Sequence, residues 1–279
     1  MLLELAIGDA YGAGFEYADK KFIQEKNTLQ GYVQHPRHKD IQPGRYTDDT
    51  QMSIAIAELL IEKKEWTPKN IAEKFVDVFK RDTRTGYSGK FYTFLQSIED
   101  GTEFLKRIKP DSEKSGGAMR SAPIGILQDI SQVKEYARIQ ASITHNTTIG
   151  INAGIASALM SHYFMYDLGQ KKDLGRFIEM HVSGTWASYW KGEVKSKGFM
   201  PVRAAITAVM QYHSLAEILK QCIAFTGDVD TVATIALAAA SKSKEVKQDL
   251  PNILFTTLEN GIYGKEYLLG LDKKLFAIK

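Results

Sequence analysis

The feature that most constrains this chain is a pair of acidic motifs that lead straight into apolar helical stretches. In Arg45-Tyr-Thr-Asp-Asp-Thr-Gln51 two carboxylates stand side by side between threonines, directly ahead of the run MSIAIAELLI. In Thr226-Gly-Asp-Val-Asp-Thr231 two more precede VATIALAAA, which is apolar on nearly every face and so expected to be buried. Helix capping is the ordinary use of such residues: Thr47 or Asp48 can accept from first-turn N–H groups, and the helix dipole favours acids there. Capping needs a single acceptor, however, so the second acid of each motif is surplus to it. Four carboxylates meeting in a buried site repel one another and lose their hydration, a cost that only cations can offset. The two motifs therefore point to a shared metal site.

The expected ligands are hard oxygens, carboxylate and hydroxyl, with no thiol and no obligatory imidazole. That donor set suits Mg²⁺ or Mn²⁺, with Ca²⁺ as a further option, better than zinc or copper. Four carboxylates carry enough charge for two divalent ions. Asp228 and Asp230, two positions apart, can both face one centre only where the helix is not yet regular, and Gly227 supplies the freedom for that.

The rest of the chain reads as all-α. Thr67 as N-cap, Pro68 at the first helical position, and Ile71, Phe75, Val78 and Phe79 on one face predict a helix in TPKNIAEKFVDVFKRD. Helices are expected also in DTQMSIAIAELLIEKKE, TTIGINAGIASALMSHYFMYDL, GRFIEMHVSGTW, PVRAAITAVMQY, SLAEILKQCIAF and DTVATIALAAASKS, whereas two-residue alternation is hard to find. IGINAGIASALM and TIALAAAS carry few bulky side chains. They are the candidates for the centre of the bundle, although the helix propensity of alanine accounts for them equally well.

No Gly/Ser/Pro-rich stretch interrupts the 279 residues, so one domain spanning 1–279 is expected. The 36 basic and 33 acidic residues are interspersed, which argues against nucleic acid as the main partner. The single cysteine, Cys222, excludes an internal disulfide and reads as a core residue in a reducing compartment. The apolar start MLLELAIGDAYGAGF carries Glu4 and Asp9 and no preceding basic segment, so it is not expected to be a signal peptide. No apolar run reaches the length of a membrane helix, and a cytoplasmic protein is expected.

Three smaller motifs remain. IGDAYGAGFEY offers Gly8, Gly12 and Gly14 with Asp9 and Glu16, but neither its spacing nor its context fits a dinucleotide fingerprint. SGGAMRSAPIG places Ser115, Gly116 and Gly117 ahead of an expected helix, either a plain helix start or a backbone N–H cradle for phosphate. His145, in SITHNTTIG, reads as a structural histidine or a ligand-binding one, and the two histidines of the basic loop HPRHKD are expected to face solvent.

Taken in order, these motifs resemble the ADP-ribosylglycohydrolase family along nearly the whole chain. GDAYGAGFEY is similar to its GDAxGxxxE motif, YTDDTQM to TDDT, TGYSG to a GYG segment, SGGAMRSAPIG to GNGAAMRxAPIG, THNTTIG to THxxxxA/G, and TGDVDTVATIALA to GGDTDTIAxxxGA. The resemblance implies a compact, orthogonally packed, all-α bundle with a binuclear Mg²⁺ or Mn²⁺ cleft. It implies that Thr47, Asp48, Asp49, Asp228, Asp230 and Thr231 hold two ions, and that Glu16, with Asp48 or Asp230, serves catalysis. Gly86, Tyr87, Ser115, Gly116, Gly117, Met119 and His145 would line the ADP-ribose cleft. The departures are Ser115 for the family asparagine, Val229 for a threonine, and the acidic Glu113 beside the expected diphosphate.

The activity so implied is hydrolysis of the bond between ADP-ribose and an acceptor, with arginine on a protein as first expectation. Serine, O-acetyl-ADP-ribose or even nucleic acid are further acceptors to consider. A non-catalytic ADP-ribose-binding or structural relative, and a hydrolase of the nucleotide's diphosphate, are the rival readings. The loops KKFIQEKNTLQGYVQHPRHKD and WASYWKGEVKSKGF are candidates for the cleft mouth.

Overall fold

The computed structural model describes residues 1–279. In chain order its helices are α1 (Leu2–Ala13), α2 (Lys20–Lys26), α3 (Asp48–Ile61), α4 (Pro68–Arg81), α5 (Gly89–Gln96), α6 (Gly101–Arg107), α7 (Gly116–Met119), α8 (Ile130–His145), α9 (Thr148–Met165), α10 (Leu174–His181), α11 (Phe199–Gln211), α12 (Leu215–Ala224), α13 (Val229–Ala240), α14 (Asn252–Thr256) and α15 (Lys265–Phe276). Short 3₁₀ turns occur at Ala122–Ile126 and Lys171–Asp173, and the extended pairings are isolated bridges only. The all-α expectation holds.

α4 forms as its sequence predicts. Thr67 accepts from Asn70 N, Pro68 opens the helix, and Ile71, Phe75, Val78 and Phe79 are buried. α13 is buried at every position and lies at the centre, packed along α1 and flanked by α9, α11 and α12. The small side chains of α13 and α9 thus serve close packing as well as propensity. Eighty-two buried apolar residues make one contiguous core, Cys222 among them.

Three expectations need correction. The GRFIEMHVSGTW helix stops at His181, where Val182 turns extended. The helix after Ser115 is a single turn of four residues, so SGGAMRSAPIG is mostly loop and 3₁₀ turn. His35 of the HPRHKD loop is fully buried instead of solvent-facing, whereas His38 is exposed. The basic composition of that loop hides an inward imidazole that satisfies three backbone groups.

Candidate active site

The TDDT segment does not spend its oxygens on its own helix. Thr47 is the N-cap of α3 but makes no side-chain cap bond. Asp9, fully buried on α1, takes that role from outside: it accepts from Thr47 N (2.9 Å), Thr50 N (2.9 Å), Thr47 Oγ1 (2.7 Å) and Thr50 Oγ1 (2.5 Å). Four donors on one carboxylate lock the start of α3 against α1 and leave Asp48 and Asp49 unspent. Thr47 gives its proton to Asp9, which leaves a lone pair of its oxygen available.

The second motif enters from the far end of the chain. Thr226 and Gly227 both lie at positive φ (66° and 90°), and a Cβ on Gly227 would overlap the Val194 carbonyl, so glycine is required there. Asp228 caps α13 in position only, with no side-chain cap bond, and Asp230 Oδ1 accepts from Thr231 N at 2.9 Å. α13 and α1 approach so closely that a Cβ on Gly12 would collide with Asp230 Cα. This seam carries Asp228 and Asp230 to Glu16, just beyond α1, and one oxygen of each of these three carboxylates lies within 4.8 Å of the others.

The electrostatics follow from burial and crowding. Desolvation, then Asp228 and Asp9, push Glu16 up to about 7. Asp48, half-buried and facing Asp9 and Glu16, and Asp49, buried beside Asp48, are held by desolvation and neighbouring charge well above the usual carboxylate range, as is Asp230 beside Glu16 and Asp49. Burial raises Asp228 too, while the Thr231 and Ser115 hydroxyls oppose the rise. Asp49 Oδ1 is sealed from solvent and has no hydrogen-bond partner. An orphaned carboxylate oxygen within a crowd of hard oxygen donors fits a divalent cation of the Mg²⁺ or Mn²⁺ type.

The remaining expected residues surround this cluster. Gly86 lies at φ 104° against Thr47 and Asp48, where a Cβ would collide with Asp48 Oδ1. Tyr87 is buried, and its hydroxyl donates to Gln51 Oε1 at 2.8 Å, so it supports α3 from inside. Met119 is likewise buried, its carbonyl accepting from Ser53 Oγ. Gly116 and Gly117 pack against the His145 ring, and burial, reinforced by the cations Arg120 and Lys114, pulls the His145 imidazole down to about 3. Glu113 turns outward and pairs with Lys197 at 3.2 Å, which keeps its charge off the Ser115 turn.

Two supporting residues went unread in the sequence. Asp9 is one; its signal was an acid in the middle of a helix that is otherwise apolar beyond its first turn. His35 is the other: its Nδ1 accepts from Arg37 N (3.1 Å) and His38 N (2.9 Å), so its Nε2–H donates to the Glu16 carbonyl at 2.7 Å. Of the two segments expected as loops at a cleft mouth, the first opens with helix α2 instead, and that helix meets the 186–199 segment. Lys20, Gln24, Trp190 and Glu193, with Phe225 and Thr226, line a groove of about 590 Å³ next to Asp228.

Comparison with known proteins places the chain in a family. The family model described as ADP-ribosylglycohydrolase matches residues 1–251. The chain is similar to the ADP-ribosyl-[dinitrogen reductase] glycohydrolase of Rhodospirillum rubrum, 25% identical over 260 residues that cover 90% of this chain and 86% of that one. It is similar also to the ADP-ribosylhydrolase ARH3 of Homo sapiens, 24% identical with 84% and 81% covered. The match to an uncharacterized protein of Archaeoglobus fulgidus, 29% identical over 161 residues, spans only 52% of that relative's length. A solved structure titled ADP-ribosylglycohydrolase-related protein complex shares the fold at a TM-score of 0.77 and 21% identity, covering 99% of this chain and 95% of that one. The chain belongs to the ADP-ribosylglycohydrolase family.

Proposed function

We propose that this chain hydrolyses the glycosidic bond between ADP-ribose and an acceptor, with arginine on a protein as the acceptor, and uses two Mg²⁺ or Mn²⁺ ions. Family membership supports the hydrolysis of an ADP-ribose linkage. The observation that carries the use of metal ions is the convergence of Glu16, Asp228 and Asp230 within 4.8 Å, beside the orphaned Asp49 oxygen. Such a set of acids is costly to keep charged unless it serves cation binding.

Thr47, Asp48, Asp49, Asp228, Asp230 and Thr231 are the residues proposed to hold the ions, and Asp9 fixes the first half of this set. Divalent ions bound there would lower the pKa of a water and offset the carboxylate charge. Glu16, half-buried at the edge of the cluster and held on its backbone by His35, is the proposed base toward the anomeric carbon, with Asp48 or Asp230 orienting the water. The diphosphate is assigned to the Ser115–Gly117 turn and His145. The adenosine is assigned to a cavity of about 250 Å³ lined by Thr148, Trp186, Phe199 and Arg203, whose aromatic walls suit a purine. The groove beside Asp228 is left for the acceptor.

Mass spectrometry of the products from an arginine-ADP-ribosylated protein tests this reading. Intact ADP-ribose and unmodified arginine are expected in Mn²⁺. AMP as the product would instead make the chain a diphosphate hydrolase, and no product with ADP-ribose bound would make it a binding protein.

A further inference from the structure

Arg120 is among the largest fully buried side chains of the molecule, and it has no carboxylate bonded to it. Its Nε donates to Gln140 Oε1 at 2.7 Å, and its Nη2 donates to Gln140 O at 3.1 Å and to Thr144 Oγ1 at 2.8 Å. The guanidinium lies over the Phe75 ring, 4.4 Å from its centroid. A buried cation held by neutral acceptors and an aromatic face is an expensive arrangement, which prompts the question of what it orders.

The chain of donors answers it. Arginine can only donate, so Thr144 Oγ1 is an acceptor toward Arg120. The same oxygen lies 2.6 Å from His145 Nδ1. Thr83, Thr93 and Thr207 return their hydroxyl to the carbonyl four residues earlier, but Thr144 does not; Gln140 O is already taken by Arg120. The Thr144 proton therefore has Nδ1 as its acceptor, and a proton on Nδ1 would strand that hydroxyl in the interior. A flipped ring would set a C–H 2.6 Å from oxygen, which is too close. Nε2, at the other end of the ring, has no partner in the protein and is not sealed from solvent. It lies 3.3 Å from where a Gly116 Cβ would be, and Gly150 packs against the Cβ and carbonyl of His145.

We infer that Arg120 and Thr144 are positioning residues that fix His145 as the Nε2–H tautomer, so that it presents a permanent N–H donor across Gly116 to an acceptor oxygen of ADP-ribose. The ligand half of this inference rests on the proposed function, and the tautomer half does not. His145 then contributes to binding and not to proton transfer, because neither ring nitrogen is free to act as a base toward the substrate.

The test is ¹⁵N-histidine NMR on the full chain, with the His145 signals assigned by their loss in His145→Gln, beside calorimetric binding of ADP-ribose. The wild type should show the Nε2–H tautomer without ligand. Thr144→Val should lose the fixed tautomer, weaken ADP-ribose binding about tenfold, as expected for one hydrogen bond to a charged group, and raise KM with kcat little changed. Thr144→Ser should restore all three. An Nδ1–H tautomer in the wild type, full-strength binding by Thr144→Val, or failure of Thr144→Ser to rescue overturns the inference while leaving hydrolysis standing. A wild type with the Nε2–H tautomer that binds no ADP-ribose overturns the proposed function and the donor role together, and leaves the relay intact.

Discussion

Asp9 decides the geometry of the site without belonging to the expected ligand set. Its four acceptor bonds go to two buried N–H groups and two hydroxyls of the TDDT segment, all of which lose their partner in Asp9→Ala. That variant should be destabilised by about 3 kcal/mol, measured by urea unfolding, with Asp9→Asn recovering part of the loss. The crowded acids make a second prediction. Glu16 rises from 4.5 to about 7 on folding, so the folded protein holds a proton that the unfolded chain has released. The stability this contributes is complete below pH 4.5 and is lost as pH rises through about 7. In EDTA the Tm should fall by several degrees over that window, and Mn²⁺ should remove the fall; a Tm indifferent to both would contradict the cation reading. At this scale the sequence was legible where a motif carried more charge than capping needs. It was not legible where a residue acts through burial: nothing in HPRHKD distinguishes the inward His35 from the outward His38.

Between elements, charge is used to join helices as well as to build the site. Glu58 of α3 is buried and meets Lys74 (3.4 Å) and Arg81 Nη1 (3.0 Å) of α4, and it accepts from Tyr267 of α15. Glu58→Ala leaves Lys74 with Glu62 as its remaining partner and Arg81 partly exposed, and should cost about 1–3 kcal/mol in denaturant unfolding, whereas exposed pairs such as Arg138 with Glu135 should cost little. The seam of α1 and α13 depends on a missing side chain instead. Gly12→Ala should push Asp230 away from Glu16 and abolish cation-dependent stabilisation, which the same Tm assay reads. Helices with a full set of local signals, such as α4 with its Thr67 cap, were read directly from sequence. α1, α2, α5, α6, α8, α14 and α15 were overlooked, and the single turn α7 was expected as a longer helix, since four residues leave no periodicity to detect.

Over the whole molecule, the site is assembled from chain positions that only folding brings together. Glu16 follows α1, Asp48 and Asp49 open α3, and Asp228 and Asp230 open α13, more than two hundred residues from Glu16. One contiguous core joins these helices, so we expect calorimetry to give a single unfolding transition; two well-separated transitions would divide the chain. Sequence indicated that the two acidic motifs should meet, since each carries one acid more than capping needs and four buried carboxylates call for cations. It could not show that the groove near them is framed by α2 and the 190–193 loop, because long-range packing, not local pattern, sets where such segments lie.

The central claim is that this acid cluster binds divalent cations in order to cleave an ADP-ribose linkage. The most direct measurement is the rate of free ADP-ribose release from an arginine-ADP-ribosylated protein, for wild type and Asp228→Ala, each in Mn²⁺ and in EDTA. Release by the wild type in Mn²⁺, lost by at least about a hundredfold on either removing the ion or removing Asp228, is the predicted result. Release that persists in EDTA, or in the Asp228→Ala variant, would contradict the account.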